Sequence, residues 1–317
     1  MLFFLSLFQL LFVVLLSPLF AGLLASIQEK LERKKGPSVF QKYFDLYKLF
    51  GKESLVPSMS SPFFRIAPYL TFTLYLFLSL VLPIVTAFPL TFGPVVDFIG
   101  GGLAFGAAGS LKKIAALDSR SNYAHLGASR AAGIGAVSEP TMVLIFILLG
   151  ILSGTNNPYV INNVLQSSSA WYASLLHWFV VGAFFLVILV ETGQLPIEAD
   201  TQGEFGLIDQ GLPYEYSGAE QAFFQWGGFA KQFLLMSVFL NVFSLPFWVP
   251  TKPDLVAVFV YALVHLLKMA ALVLVIALVN ETISKYKLYK NFDYLAVAFG
   301  LAILGGLAFF VTGGGIR

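Results

Sequence analysis

The sequence predicts an all-α fold: a polytopic membrane protein with about eight transmembrane helices and one interfacial amphipathic helix. Three observations predict it. First, 58% of the 317 residues are hydrophobic and only 11% are charged, against about 25% charged in soluble domains, and the mean hydropathy is +0.82. Second, apolar runs of membrane-spanning length recur along the whole chain. Third, Lys and Arg fall almost entirely on alternate connections between those runs.

The spans read as 3–26, 66–89, 95–117, 131–153, 171–195, 228–249, 255–281 and 291–313. The first has no basic leader and no small-residue cleavage pattern, so it reads as a helix of the protein and not a signal peptide. Several spans carry Gly or Pro, as membrane helices tolerate when neighbours satisfy the backbone, and the triple glycine 100–102 suggests close helix packing. The inner loops are expected at about 27–65, 118–130, 196–227 and 282–290, all within a single membrane domain, 1–317. Placing both termini outside puts sixteen of the nineteen Lys and Arg inside and leaves Lys252 and Arg317 outside, with Lys268 in a span. That asymmetry fixes the expected orientation. Within the first inner loop, Phe40, Tyr43, Phe44, Tyr47 and Phe50 share one helical face. That pattern reads as a helix lying on the membrane surface or docking a partner.

Several charges are unusual for such a chain. Seven of the seventeen acids (Glu191, Glu198, Asp200, Glu204, Asp209, Glu215 and Glu220) crowd into thirty residues, and no Lys or Arg occurs from 131 to 230. Glu139 lies about 14 Å beyond Arg130 along a helix. A carboxylate at that depth is expected to be protonated, paired or beside a water-filled cavity. Lys268 shares a helix face with His265, and is expected either to exchange protons or to pair statically with Glu139 or Glu191. Glu191 and Glu281, at inner helix ends, could form the mouth of a polar path. His177 reads as a hydrogen-bonded structural residue.

Chemistry is otherwise sparse. There is no cysteine to ligate a cluster or metal, and His125, His177 and His265 are scattered. No zinc-protease, phosphate-loop or nucleophile-elbow pattern occurs, and nothing points to nucleic acid. Ion movement, or coupling to another subunit, is what remains; a stand-alone ion transporter would use similar buried charges.

Four blocks of sequence carry a resemblance: LERKKGP (31–37) with YKLFGKES (47–54), LDSRSNYAHLGASRA (117–131) with SEP (138–140), ETGQLPIEAD (191–200) with EYSG (215–218), and KYKLYKNFD (285–293). In order and placement they resemble the eight-helix subunit that joins the two arms of respiratory complex I. The same subunit occurs in membrane-bound nickel–iron (NiFe) hydrogenases and formate hydrogenlyase, and GASR, LDS, SEP and EYSG look most like that branch. The resemblance implies a non-catalytic subunit of an oxidoreductase complex in a prokaryotic cytoplasmic membrane. Its expected partners are hydrogenase-like large and small cytoplasmic subunits, antiporter-like membrane subunits and the lipid bilayer. It implies no cofactor on this chain, with the nickel–iron centre and iron–sulfur clusters in the partners. Arg33, Lys34, Lys35, Arg120 and Arg130 would dock the peripheral arm. Glu139, Glu191, Glu198, Asp200, Glu204, Glu215, His265, Lys268 and Glu281 would belong to a proton or sodium coupling path. A quinone-site subunit of a complex I-type dehydrogenase, or the matching subunit of a sulfur reductase, are the neighbouring readings.

Overall fold

The structure, a computed structural model, describes residues 1–95, 97–167, 172, 174–194, 211–283 and 290–311. Its helices are α1 (Leu2–Leu31), α2 (Gln41–Phe50), α3 (Pro62–Val81), α4 (Phe98–Asp118), α5 (Asn122–Ser153), α6 (Pro158–Ser167), α7 (Leu175–Glu191), α8 (Gly218–Val238), α9 (Leu255–Thr282) and α10 (Lys290–Val311). No strand occurs among the described residues. Five helices (α1, α3, α5, α9 and α10) are long and apolar enough to cross a membrane by themselves. The glycine-rich α4, the shorter α7 and α8 with its π-helical extension complete a bundle of eight long helices, as the sequence predicts.

Helix ends follow local chemistry. Pro62 opens α3 behind Ser61, whose hydroxyl accepts the Phe63 amide. Asp97 caps α4 through the Gly100 amide at 2.7 Å, Asp254 caps α9, and Gly154 ends α5 in the left-handed conformation at φ 70°. The helices depart from the expected spans at several ends: α8 begins at Gly218, ten residues before the expected 228, and two other departures have a clear local cause. Helix α3 stops at Val81, because Leu82 precedes Pro83 and is pushed to extended backbone, ψ 146°. Helix α5 begins nine residues before the expected span, since Tyr123–Arg130 is polar enough to face water yet still helical.

In lipid, apolar burial does not by itself drive helices together, so close packing and satisfied polar groups must. Packing is achieved where α10 lays Gly305 and Gly306 against Leu176 and Phe179 of α7 and Leu148 of α5. It is also achieved where Phe98, Phe146, Phe184 and Phe243 stack between α4, α5, α7 and the π-turn, with Phe98 to Phe146 at 4.1 Å and Phe184 to Phe243 at 4.3 Å. Helix α1 lies against α8, α9 and α3; α4 fills the space between α3 and α5.

One end of the bundle, the basic end, carries Arg33–Lys35, Lys112, Lys113 and Arg120. At the opposite, far end the chain from 82 to 90 is not helical yet is almost wholly buried. Such backbone is tolerated only if its polar groups find partners inside the protein. Gln9 donates to the Ser79 and Leu82 carbonyls at 2.6 and 2.9 Å and accepts from the Val85 amide. Asn163 and Asn241 take the carbonyls of Ala87, Pro83 and Ile84. Asn241 sits in the π-turn Phe239–Ser244, the wider turn that aims its side chain inward. Asn241→Leu removes three side-chain hydrogen bonds and strands their partners. A loss of about 3 kcal/mol is expected, read as a lower melting temperature of the purified assembly.

Candidate functional site

A cavity of about 380 Å³ opens among α1, α3, α4, α5, α7 and α8 toward the basic end. Its wall is unusually polar for a bundle of this composition. Lys42, Lys112, Lys113, Lys231, Glu139, Glu191, Gln28, Gln194, Gln225, Gln232 and Ser138 all line it.

Two half-buried ion pairs organise the wall. Lys113 of α4 donates to Glu139 Oε1 of α5 at 2.6 Å, with side-chain exposures of 17% and 28%. Lys231 of α8 pairs with Glu191 Oε2 at the end of α7. Ser138 connects them: its hydroxyl donates to Glu191 Oε1 at 2.5 Å, one residue from Glu139. Four helices thus converge on two carboxylates, each held by one lysine, and both pairs are set back from bulk solvent. There an ion pair is strong and a lone charge costly. Gln28 of α1 donates to Gln194 at 2.8 Å, closing the cavity beside Glu191.

Space for the Glu139 carboxylate comes from glycine. A Cβ built on Gly106 meets Glu139 Oε2 at 3.2 Å, whereas one on Gly109 lies 3.6 Å from Glu139 Oε1. A Cβ on Gly135 meets Glu139 Oε1 at 2.9 Å and collides with the Lys113 ammonium. Both obstructed groups are the ends of flexible chains, so Gly135→Ala is expected to displace the ion pair and change stability by less than about 1 kcal/mol. Infrared spectroscopy of the Glu139 carboxylate band checks it; Gly109→Ala, with ordinary contacts, should leave the band in place.

Of the residues expected from the sequence, Glu139 and Glu191 come together on this wall. Glu139 is paired, one of the three states expected of it, and it lines the cavity. Glu215 is half-buried just before α8, and Glu281 is half-buried at the basic end of α9. Glu198, Asp200, Glu204 and Asp209 lie outside the described residues, but Gln194 and Leu212, which flank that segment, both line the cavity. Lys268 and His265 are elsewhere, toward the far end. Lys268 pairs with neither Glu139 nor Glu191, whose cations are Lys113 and Lys231. His265 meets Ser237 Oγ at 3.1 Å. His177 is buried with neither ring nitrogen hydrogen-bonded among the described residues, unlike the hydrogen-bonded role expected; it packs edge-on to Tyr172.

Arg33, Lys34, Lys35 and Arg120 are exposed at the basic end and Arg130 is half-buried. Arg33 and Arg120 adopt φ of 60° and 56°, so each turns the chain sharply out of a helix. The sequence blocks of the basic end also touch one another. Tyr216 stacks on Phe64 at 3.9 Å and donates to its carbonyl at 2.8 Å. Ser217 Oγ accepts the Leu55 amide at 2.8 Å. Gly218, at φ 60°, lies so close to Glu53 and Ser54 that any Cβ would collide. Burial pushes the Tyr216 phenol up, and the carboxylates of Asp118 and Glu220 add to the shift, so it stays a neutral donor. Ser61 donates to Asp118 at 2.7 Å, tying a third block in.

Sequence reasoning missed Lys113, Lys231 and Ser138 as site residues. A signal existed for Lys231: it is the only Lys or Arg between Arg130 and Lys252, and so the one cation near in sequence to the acidic stretch. Among the described residues no three carboxylate, imidazole or thiol groups gather where they could hold a metal ion.

Comparison with known proteins identifies the chain's relatives. The family profile of NADH dehydrogenase matches residues 1–311. Hydrogenase-4 component C of Escherichia coli (strain K12) is 28% identical over 315 residues, 97% of this chain and 96% of its own length. Formate hydrogenlyase subunit 4 of the same organism is 29% identical over 304 residues, 94% of this chain and 95% of its own. A chain in the solved structure of the membrane-bound sulfane sulfur reductase, an archaeal respiratory membrane complex, superposes with a TM-score of 0.81. It covers 96% of this chain and 98% of that one at 19% identity, and shows the shared fold.

Proposed function

The chain belongs to the NADH dehydrogenase family, and on that premise we propose that it is the non-catalytic membrane subunit of a membrane-bound nickel–iron hydrogenase-type complex. In this reading it anchors a peripheral redox arm and couples electron transfer to proton or sodium movement. The observation that carries it is the joined pair of ion pairs, Lys113–Glu139 and Lys231–Glu191, on one cavity wall at the basic end. Full-length similarity to hydrogenase-4 component C and formate hydrogenlyase subunit 4 supports the hydrogenase branch.

The chemistry follows from how each carboxylate is held. An ionised Glu in this wall is compensated by one lysine. If a rearrangement at the basic end draws that lysine aside, a proton or a sodium ion is the cheapest replacement for the lost positive charge. Because Ser138 touches Glu191 and is covalently next to Glu139, displacement at one pair is felt at the other. Gln194 and Leu212, which line the cavity, bracket the sequence carrying Glu198, Asp200 and Glu204, and that sequence is assigned the role of relaying such a rearrangement from the redox arm. Glu215 and Glu281 extend the polar surface at the same end. Arg33, Lys34, Lys35, Arg120 and Arg130 would meet the arm, which carries the nickel–iron and iron–sulfur centres. Antiporter-like subunits would receive the displaced charge. The basic end then faces the cytoplasm of a prokaryotic cell, with both termini outside.

Purifying the assembly through a tag on this chain tests the reading. The preparation is assayed for hydrogen evolution from a reduced low-potential donor, for quinone reduction and for sulfur reduction, with mass spectrometry of the copurifying chains. Hydrogen evolution with a nickel-binding partner is expected. Quinone reduction instead makes the cavity part of a complex I-type quinone chamber, and sulfur reduction without hydrogen assigns the chain to a sulfur reductase. A chain that purifies alone and transports ions overturns the subunit reading.

A further inference from the structure

Lys268 is the one basic residue deep in an apolar span that the cavity does not use. Its side chain follows the tilt of helical Cβ bonds toward the N-terminus of α9. There its ammonium donates to the carbonyls of Leu245 at 2.9 Å and Phe247 at 2.7 Å, and to the Tyr261 phenol oxygen at 3.4 Å. Three acceptors match the three N–H groups of an ammonium. The Tyr261 proton is already committed to Asn241 Oδ1 at 2.7 Å, so the phenol can only accept from the lysine. A neutral amine, with two donors and a lone pair, would leave one of these oxygens unserved and face its lone pair toward another.

The surroundings are those of a cation cage. The rings of Tyr261 and Trp248 lie 5.0 and 5.7 Å from the nitrogen, within cation–π range. No carboxylate pairs with it among the described residues. Leu245 follows directly on the π-turn Phe239–Ser244, whose C-terminal end carries partial negative charge. Trp248 holds a left-handed φ of 66°, a conformation that is costly for a non-glycine residue and persists only when the surroundings enforce it. The bend directs two alternate carbonyls at one point, and the ammonium is what stands there.

We propose that the carbonyls of Leu245 and Phe247 with the Tyr261 phenol oxygen form a monovalent-cation cage whose built-in cation is the Lys268 ammonium. Its function is to close the far end of the bundle, and it does not relay protons. Through Tyr261 the cage reaches Asn241, and through Asn241 the buried non-helical segment at 83–84. One tethered cation thereby ties together three non-helical or π-helical stretches that lipid could not satisfy.

Melting of the purified assembly, which does not depend on the coupling reading, is the first test; the ion ratio in the last arm rests on that reading. Lys268→Ala empties the cage, and its melting temperature is expected to fall by about 5 °C. Millimolar methylammonium chloride, a small cation that fits the vacated room, should restore at least half of the loss, whereas choline chloride at equal concentration should not. A Lys268→Ala assembly that melts like the wild type, or whose loss methylammonium leaves untouched, overturns the cage. If the alanine variant does not assemble, Lys268→Met decides. It fills the same volume without charge, so it should melt lower, be insensitive to methylammonium, and keep the wild-type ratio of ions moved per electron. A methionine variant as stable as the wild type, or one that loses ion movement while keeping its stability, overturns the proposal.

Discussion

Lys231→Met will destabilise the assembly by about 3–5 kcal/mol, the cost of leaving a buried carboxylate without its cation. Glu191 is the last residue of α7 and binds α8 through Lys231 and α5 through Ser138. The lysine and glutamate side chains are only 18% and 13% exposed, and methionine offers no group to hydrogen-bond the carboxylate, so the cavity compensates the lost partner only in part. Most of that cost is the stranded charge and not the value of the pair. The double variant Lys231→Met with Glu191→Gln should therefore recover most of the stability. Melting of the wild type, both single variants and the double variant closes the cycle. Equal losses in the single and double variants would show that the lysine acts by packing and that the pair is not a charge device.

Glu139→Gln will abolish coupled ion movement and leave electron transfer and assembly intact. Glutamine fills the socket of Gly106, Gly109 and Gly135 with the same volume and still offers an oxygen to Lys113. It cannot ionise, so it can neither bind a proton nor compensate a cation. The retained amide oxygen still accepts from Lys113, whose side chain is 17% exposed to the cavity, and this spares the fold. The variant thus separates charge handling from architecture, a distinction that Glu139→Ala, with its added void, would blur.

Much of the architecture is legible in the sequence because a membrane imposes it. Eight apolar runs give eight long helices, and the charge distribution marks which ends carry the basic loops. Helix ends were less legible, since the apolar run from 66 to 89 does not reveal that Leu82 and Pro83 break the helix while the chain stays buried. Glu139 stood out because an acid in an apolar run demands a partner, and the structure supplies Lys113. Nothing in the spacing names that partner, because the pairing depends on how α4 and α5 pack. For Lys268 the sequence raised the right question and offered the wrong partners. Its acceptors are backbone carbonyls of Leu245 and Phe247, and no residue type encodes where a carbonyl points.

Ion uptake by the purified complex in sealed proteoliposomes, measured per electron transferred from a low-potential donor, tests the coupling role most directly. The wild type should move ions in a fixed ratio to turnover, and the Glu139→Gln complex should turn over at a similar rate with no uptake above that of leaky vesicles. An undiminished ratio in the Glu139→Gln complex would contradict the account, and would leave the cavity pairs as structural ties between helices.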